Sequence, residues 1–197
     1  MQGIAVSPFV NKTDEEIASL VKAGSVEIFS VLVDRYEGKM TRYARKFLSD
    51  KEDIEDVVQR VFLKCFENIK SFDEKRKFSP WIYRIAHNEL VNVLKVRHKK
   101  TLPLFDLDTF LPSAFLIKND NIEERIDAQA VKQMVEKCLE TLEFKYKEPV
   151  ALYYLEGLSY KEISDVMRIP ISTVGVRIKR AKKNMKSFCN NLNNFKK

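Results

Sequence analysis

The chain has 197 residues and a formal net charge of +7, with 45% apolar and 32% charged side chains. Only 5 Gly and 6 Pro, and no apolar run near the roughly 20 residues of a membrane span, exclude a turn-rich β-sandwich, a low-complexity chain and membrane insertion. Three widely spaced cysteines (Cys65, Cys138, Cys189) and two histidines (His87, His98) favour reduced thiols in a cytoplasmic protein over a disulfide framework, metal site or enzymatic triad.

From the N-terminus, Met1–Val10 lacks the basic start and apolar run of a secretory signal. A weak helical pattern over Asp14–Ala23 follows, so residues 1–24 read as an arm and a short helix. Ile28, Leu32, Tyr36, Met40, Tyr43 and Phe47 mark a second helix. Ile54, Val57, Val58, Val61, Phe62, Cys65 and Ile69 mark a third over Asp53–Ile69. Ser49 or Asp50 caps it, and Glu52, Asp53, Glu55 and Asp56 suit its positive end. A fourth helix should open near Pro80, since proline fits a first turn, and run through Lys95. These elements predict a bundle over residues 25–100.

Thr101–Asn121 is irregular and too long for a connection inside one compact domain, so it reads as a linker. A second domain should occupy 122–188, ahead of a basic tail at 189–197. Ile126, Ala130, Val131, Met134, Val135, Cys138, Leu139 and Leu142 mark its first helix. Pro149 is expected to open another, through Leu155, which Gly157 ends. Ser159 and Glu162 form a capping box opening a short helix to Met167. After a turn through Arg168, Ile169 and Pro170, Ser172 is expected to cap a final helix with Val174, Ile178, Ala181 and Met185 inside. The fold class is therefore all-α, two small helical domains joined by an irregular linker, the second containing a helix-turn-helix.

Charge divides along this plan. Residues 1–63 carry 9 basic and 11 acidic side chains, residues 64–101 carry 10 and 4, residues 102–165 carry 7 and 13, and residues 166–197 carry 9 and none. Two separate basic blocks predict two separate contacts with a polyanion, of which nucleic acid fits better than a membrane surface. In the final helix the outward row is Thr173, Val176, Arg177, Arg180 and Asn184, flanked by Lys179, Lys182, Lys183 and Lys186. Arginines there can grip base edges, while lysines neutralise phosphates. The first basic block interleaves Phe72, Phe78, Trp81 and Tyr83 with Lys70, Lys75, Arg76, Lys77 and Arg84. Trp81, Arg84, Asn88, Asn92 and Lys95 share one helix face. Aromatics beside cations suit unpaired bases, although the same spacing lets Phe78 and Trp81 pack into the bundle. On the third helix, Asp56, Gln59, Arg60, Leu63 and Glu67 form an outer row in which Leu63 hints at a protein partner. Asp53 and Asp56 lack the further acids or histidine of a nuclease metal site, and no cofactor is expected.

Five stretches then occur in order: Asp53-Ile-Glu-Asp-Val-Val-Gln-Arg-Val-Phe-Leu63, Phe78-Ser-Pro-Trp-Ile-Tyr-Arg-Ile-Ala-His-Asn88, Gly157-Leu-Ser-Tyr-Lys-Glu-Ile163, Ile169-Pro-Ile-Ser-Thr-Val174 and Arg177-Ile-Lys-Arg-Ala181. This succession resembles the extracytoplasmic-function (ECF) sigma factors, alternative sigma subunits of bacterial RNA polymerase, over roughly Ser25–Lys100 and Ile126–Lys186. The resemblance implies a non-enzymatic transcription initiation factor. Asp56, Gln59, Arg60 and Leu63 would bind core polymerase. Phe72, Lys77, Phe78, Trp81, Arg84, Asn88, Asn92 and Lys95 would recognise and open the −10 promoter element. Ser172, Thr173, Val176, Arg177, Lys179, Arg180 and Lys183 would read the −35 element as duplex. The linker would thread the polymerase cleft, and an anti-sigma factor would supply control from outside. The competing expectation is a free-standing helix-turn-helix transcription regulator.

Some residues depart from the family pattern. Arg168 stands where glycine is usual in the turn, so a left-handed backbone there would cost about 1 kcal/mol. Arg60 replaces an acid and Ile54 an alanine. Gly175 and Val176 replace polar or basic residues, so promoter sequence does not transfer. Gly175 is expected to let the helix approach the groove, so that Gly175→Leu would weaken −35 binding without unfolding the domain.

Overall fold

The computed structural model describes Phe9, residues 11–99, Leu139 and residues 142–194, the side chains of 97–99 and 186–194 aside. The expected linker, most of the helix expected from Ile126 to Leu142, and the last three residues lie outside the described residues. Two compact units are present, one of Met1–Val93 with Asp165–Arg168, the other of Leu94–Ser164 with Ile169–Lys197. All regular structure among the described residues is helical.

The first unit holds α1 (Asp14–Lys22), α2 (Phe29–Arg45), α3 (Lys51–Asn68) and α4 (Phe78–Lys99). Helix α1 opens with a capping box: the Glu16 amide donates to Thr13 Oγ1 at 3.2 Å, and the Thr13 amide donates to Glu16 Oε2 at 2.7 Å. Gly24, at φ 114°, ends it, a left-handed turn that only glycine adopts without strain. At the head of α3, Asp50 rather than Ser49 is the cap, its Oδ1 accepting from the Asp53 amide at 3.1 Å. Helix α4 starts two residues earlier than Pro80 suggests. Pro80 is its third residue, where a missing N–H breaks no helical bond.

The expected stripes are the ones buried: Ile28, Leu32, Tyr36, Met40 and Tyr43 before and along α2, and Ile54, Val57, Val58, Val61 and Cys65 along α3. Leu48 completes the α2 stripe in the interior, while Phe47 is half-buried. Ile82, Tyr83, Ala86 and Leu90 of α4 close the core. Each buried Val, Leu, Ile or Met among them contributes about 1.5–3 kcal/mol of transfer free energy. Aromatic rings meet edge to face within it, Tyr43 against Tyr83 at 5.4 Å and Tyr36 against Phe78 at 5.3 Å.

The second unit holds α5 (Phe144–Tyr154), the start of α6 (Tyr160–Met167) and α7 (Ile171–Asn194). Two boundaries differ from the sequence reading. Helix α5 begins five residues before Pro149, because the Glu143 carbonyl accepts from both the Tyr146 and the Lys147 amides at 2.9 Å and closes a turn there. Pro149 then sits inside the helix, unable to donate to the Lys145 carbonyl, a defect of about 3 kcal/mol in an exposed helix. Burial of Pro149 with Val150, Ala151 and Leu152 offsets it. Helix α7 begins at Ile171, its first turn closed by the Val174 amide on the Pro170 carbonyl at 3.1 Å. Ser172 therefore lies within the first turn and is not the cap. Helix α5 packs along α7, where Val174, Ile178 and Ala181 are buried as expected.

Candidate nucleic-acid interfaces

The turn between α6 and α7 fixes how α7 is presented. Ser159 and Glu162 form the expected capping box, the Ser159 amide donating to Glu162 Oε2 at 2.7 Å and the Glu162 amide to Ser159 Oγ at 3.3 Å. At the other end Arg168 adopts φ 54°. The Ile169 amide reaches back to the Ser164 carbonyl at 3.3 Å, and Ser164 Oγ donates to the Ile169 carbonyl at 2.6 Å. This is a Schellman turn with arginine in the position glycine usually fills.

Along α7, Ser172, Lys179, Arg180, Lys183 and Asn184 are exposed, while Thr173, Val176 and Arg177 are half-buried. The row expected to face outward thus splits. Arg180 and the lysines project free of the core. Arg177 lies over the junction with α5, its guanidinium pKa lowered by desolvation and partly restored by the carboxylate of Glu148, which is fully buried on α5. Gly175 is buried beside Val174 and so lies off the exposed face of α7, against the expectation of a close groove approach through it.

The first basic block is organised around a short loop. Phe72 and Phe78, at 2% and 0% exposure, face each other across it with ring centroids 5.5 Å apart. Their rings are core, so the packing alternative applies to Phe78, Phe72 joins it there, and neither is open to stack on a base. Half-buried Trp81 lies on them, 5.2 Å from Phe72 and 5.5 Å from Phe78. The loop itself, Asp73–Lys77, is exposed and carries Lys75, Arg76 and Lys77. Beyond Trp81, Arg84 is half-buried and Asn88, Asn92 and Lys95 are exposed.

The outer row of α3 is solvent-facing. Asp56, Gln59 and Arg60 are exposed, and Arg60 pairs with Asp56 at 3.1 Å, which neutralises both one turn before Leu63. Leu63 is 57% exposed. Phe66, three residues on, is 37% exposed and touches Phe29 at 5.2 Å, extending the apolar face beyond the predicted row. Period alone could have found Phe66.

Several polar contacts were not legible in the sequence. Lys182, expected over phosphate, hydrogen-bonds Tyr154, which raises its pKa, and lies 5.5 Å from that ring. Lys64 Nζ pairs with buried Glu89 at 2.9 Å, fastening α3 to α4. The Tyr36 hydroxyl donates to Asp14 Oδ2 at 2.6 Å and also bonds Ser79; burial, then Asp14, raises its pKa. Among the described residues no helix is long and apolar enough to cross a membrane, and no cluster of three or more His, Cys, Asp or Glu could hold a metal ion.

Comparisons with known proteins identify the family. The family models for Sigma-70 region 2 and Sigma-70 region 4 match residues 32–100 and 132–185. The ECF RNA polymerase sigma-E factor of Haemophilus influenzae is 31% identical over 86% of this chain and 92% of its own length. The ECF RNA polymerase sigma factor SigW of Bacillus subtilis is 31% identical over 82% and 89%. The fold is similar to that of CnrH, solved in complex with the cytosolic domain of CnrY, with TM-score 0.64 and 22% identity over 90% of this chain and 97% of that one. It is also similar to RpoE of Bartonella quintana, solved with the anti-sigma factor NepR, with TM-score 0.61 and 20% identity over 82% and 96%.

Proposed function

The chain belongs to the ECF sigma factors of bacterial RNA polymerase, subunits that direct promoter-specific transcription initiation, and on that premise we propose how its residues divide the task. The observation that carries the assignment is the contrast between two exposed basic faces. One is a rigid helix, α7, offering Arg180, Lys179, Lys183 and Ser172 to duplex DNA at the −35 element. The other is a loop and helix face, Asp73–Lys77 with Trp81, Arg84, Asn88, Asn92 and Lys95, suited to a melted −10 strand. Thr173 and Val176 border the first face; Arg177 supports it from the α5 junction. Phe72 and Phe78 back Trp81 from the core.

Core polymerase docks on Asp56, Gln59, Arg60 and Leu63, with Phe66 widening the contact. The solvent-exposed Leu63 and Phe66 support this, since an apolar pair on a charged face gains most when a partner covers it. An anti-sigma protein competing for the same face supplies control, and the protein acts without catalysis in the cytoplasm. The separation into units near residues 25–100 and 122–188, joined by a linker in the polymerase cleft, belongs to the same proposal.

The test is transcription in vitro with bacterial core polymerase, with and without this protein, on pooled promoter fragments from its host. Discrete transcripts are expected only when both are present. Tight duplex binding by the protein alone, with no binding to core, would instead establish a free-standing regulator.

A further inference from the structure

The exposed loop Asp73–Lys77 is tied at both ends to α1, a helix that lies wholly before residue 32, where the region 2 match begins. At its start, Lys22 Nζ donates to the Phe72 carbonyl at 3.2 Å and pairs with Glu74 at 3.6 Å. At its end, the Phe78 amide, first in α4, donates to Glu15 Oε1 at 2.8 Å. Next to that bond the Tyr36 hydroxyl joins Asp14 of α1 to Ser79 of α4. Within the loop, the Lys75 amide donates to Asp73 Oδ1 at 3.0 Å and the Arg76 amide to the Asp73 carbonyl at 2.9 Å. Five residues that would be a mobile basic loop are thus closed between two buried aromatic rings and two charge-assisted hydrogen bonds from one helix.

We propose that α1 positions the melted-strand site, with Glu15 and Lys22 as positioning residues that hold the basic loop and Trp81 in their strand-accepting arrangement. This rests on the strand-binding role given above to that loop. Neither residue touches DNA; both act through the backbone of Phe72 and Phe78. Ordering the loop before the strand arrives spares the complex the entropy of ordering it on binding.

Trypsin cuts after Lys75, Arg76 and Lys77 only when the loop opens, so its rate there reads the tether without DNA. In the full chain carrying Glu15→Ala and Lys22→Met, first cleavage in the loop should quicken by about tenfold or more for each lost bond, while helix content stays unchanged. Glu15→Gln, which keeps an oxygen acceptor for the Phe78 amide, should restore most of the protection. Unchanged cleavage in a folded double variant would overturn the proposal. Should the double variant not fold, Lys22→Met alone carries the same comparison. Strand binding is read separately through the emission of Trp81, the one tryptophan in the chain, on adding a random-sequence single-stranded oligodeoxynucleotide. Weaker binding in the fast-cleaved variants supports positioning; equal binding overturns it. A wild-type protein whose Trp81 ignores the strand would show that the melted-strand role itself has failed, even with the tether intact.

Discussion

Replacing Arg168 with glycine should stabilise the turn between α6 and α7 and the helices it joins, against the usual direction of a substitution in a DNA-binding turn. Arg168 is exposed and sits at φ 54°, so it contributes little packing while bearing the steric cost of a left-handed backbone, about 1–2 kcal/mol. Glycine removes that cost but widens the unfolded ensemble, which returns about 0.4–1 kcal/mol. The net gain is about 0.5–1 kcal/mol, or a rise of about 2–8 °C in the midpoint of a unit this small. The bonds that define the turn, from the Ile169 amide to the Ser164 carbonyl and from Ser164 Oγ to the Ile169 carbonyl, survive the change. Urea and thermal unfolding should be followed by circular dichroism, which reads the helices on both sides of the turn directly. Asparagine, which tolerates the left-handed region, should fall between glycine and wild type, and alanine should match arginine within a few tenths of a kcal/mol. A glycine variant no more stable than the alanine variant would refute the strain argument.

Three further outcomes follow from the same geometry. Arg180→Ala should lose about 1–3 kcal/mol of duplex affinity in a binding titration with stability nearly unchanged, whereas Arg177→Ala should lower the urea midpoint because it removes a counter-charge from buried Glu148. Leu63→Asp should weaken core-polymerase binding by about 1–3 kcal/mol and leave unfolding within about 0.5 kcal/mol, as measured by competition with the unmodified protein. Burial pushes the Cys65 thiol up to about 12 from an ordinary 9.0. Between those values the unfolded chain has released a proton that the folded chain keeps, so stability falls as pH rises. Its slope there should be about 1.4 kcal/mol per pH unit steeper than in Cys65→Ala, and equal slopes would contradict the burial argument.

The helices were legible because their apolar residues recur at three and four positions, and the α6 capping box because its two partners are three residues apart. The sequence reading failed where local signals compete. Pro149 looks like a helix opener, yet the turn closing on Glu143 starts α5 sooner. Phe72 and Phe78 share the aromatic-basic pattern of a stacking surface, but a ring's side of a loop is decided by packing, which composition does not encode. Glu15 and Lys22 were unreadable for a different reason. Their partners lie 63 and 50 residues away, and backbone amides and carbonyls leave no mark in the sequence. Arg168 was readable as a conflict, and the left-handed turn was kept at its steric cost.

The burial of Cys65 also sets its chemistry. Thiolate, the species that reacts with alkylating agents and peroxide, is scarce at neutral pH for a thiol whose pKa burial raises so far. Cys65 is therefore silent towards oxidants while α2, α3 and α4 hold together, and becomes an ordinary nucleophile once they separate. Pulse alkylation at this one sulfur would time the opening of the first unit's core without any introduced probe.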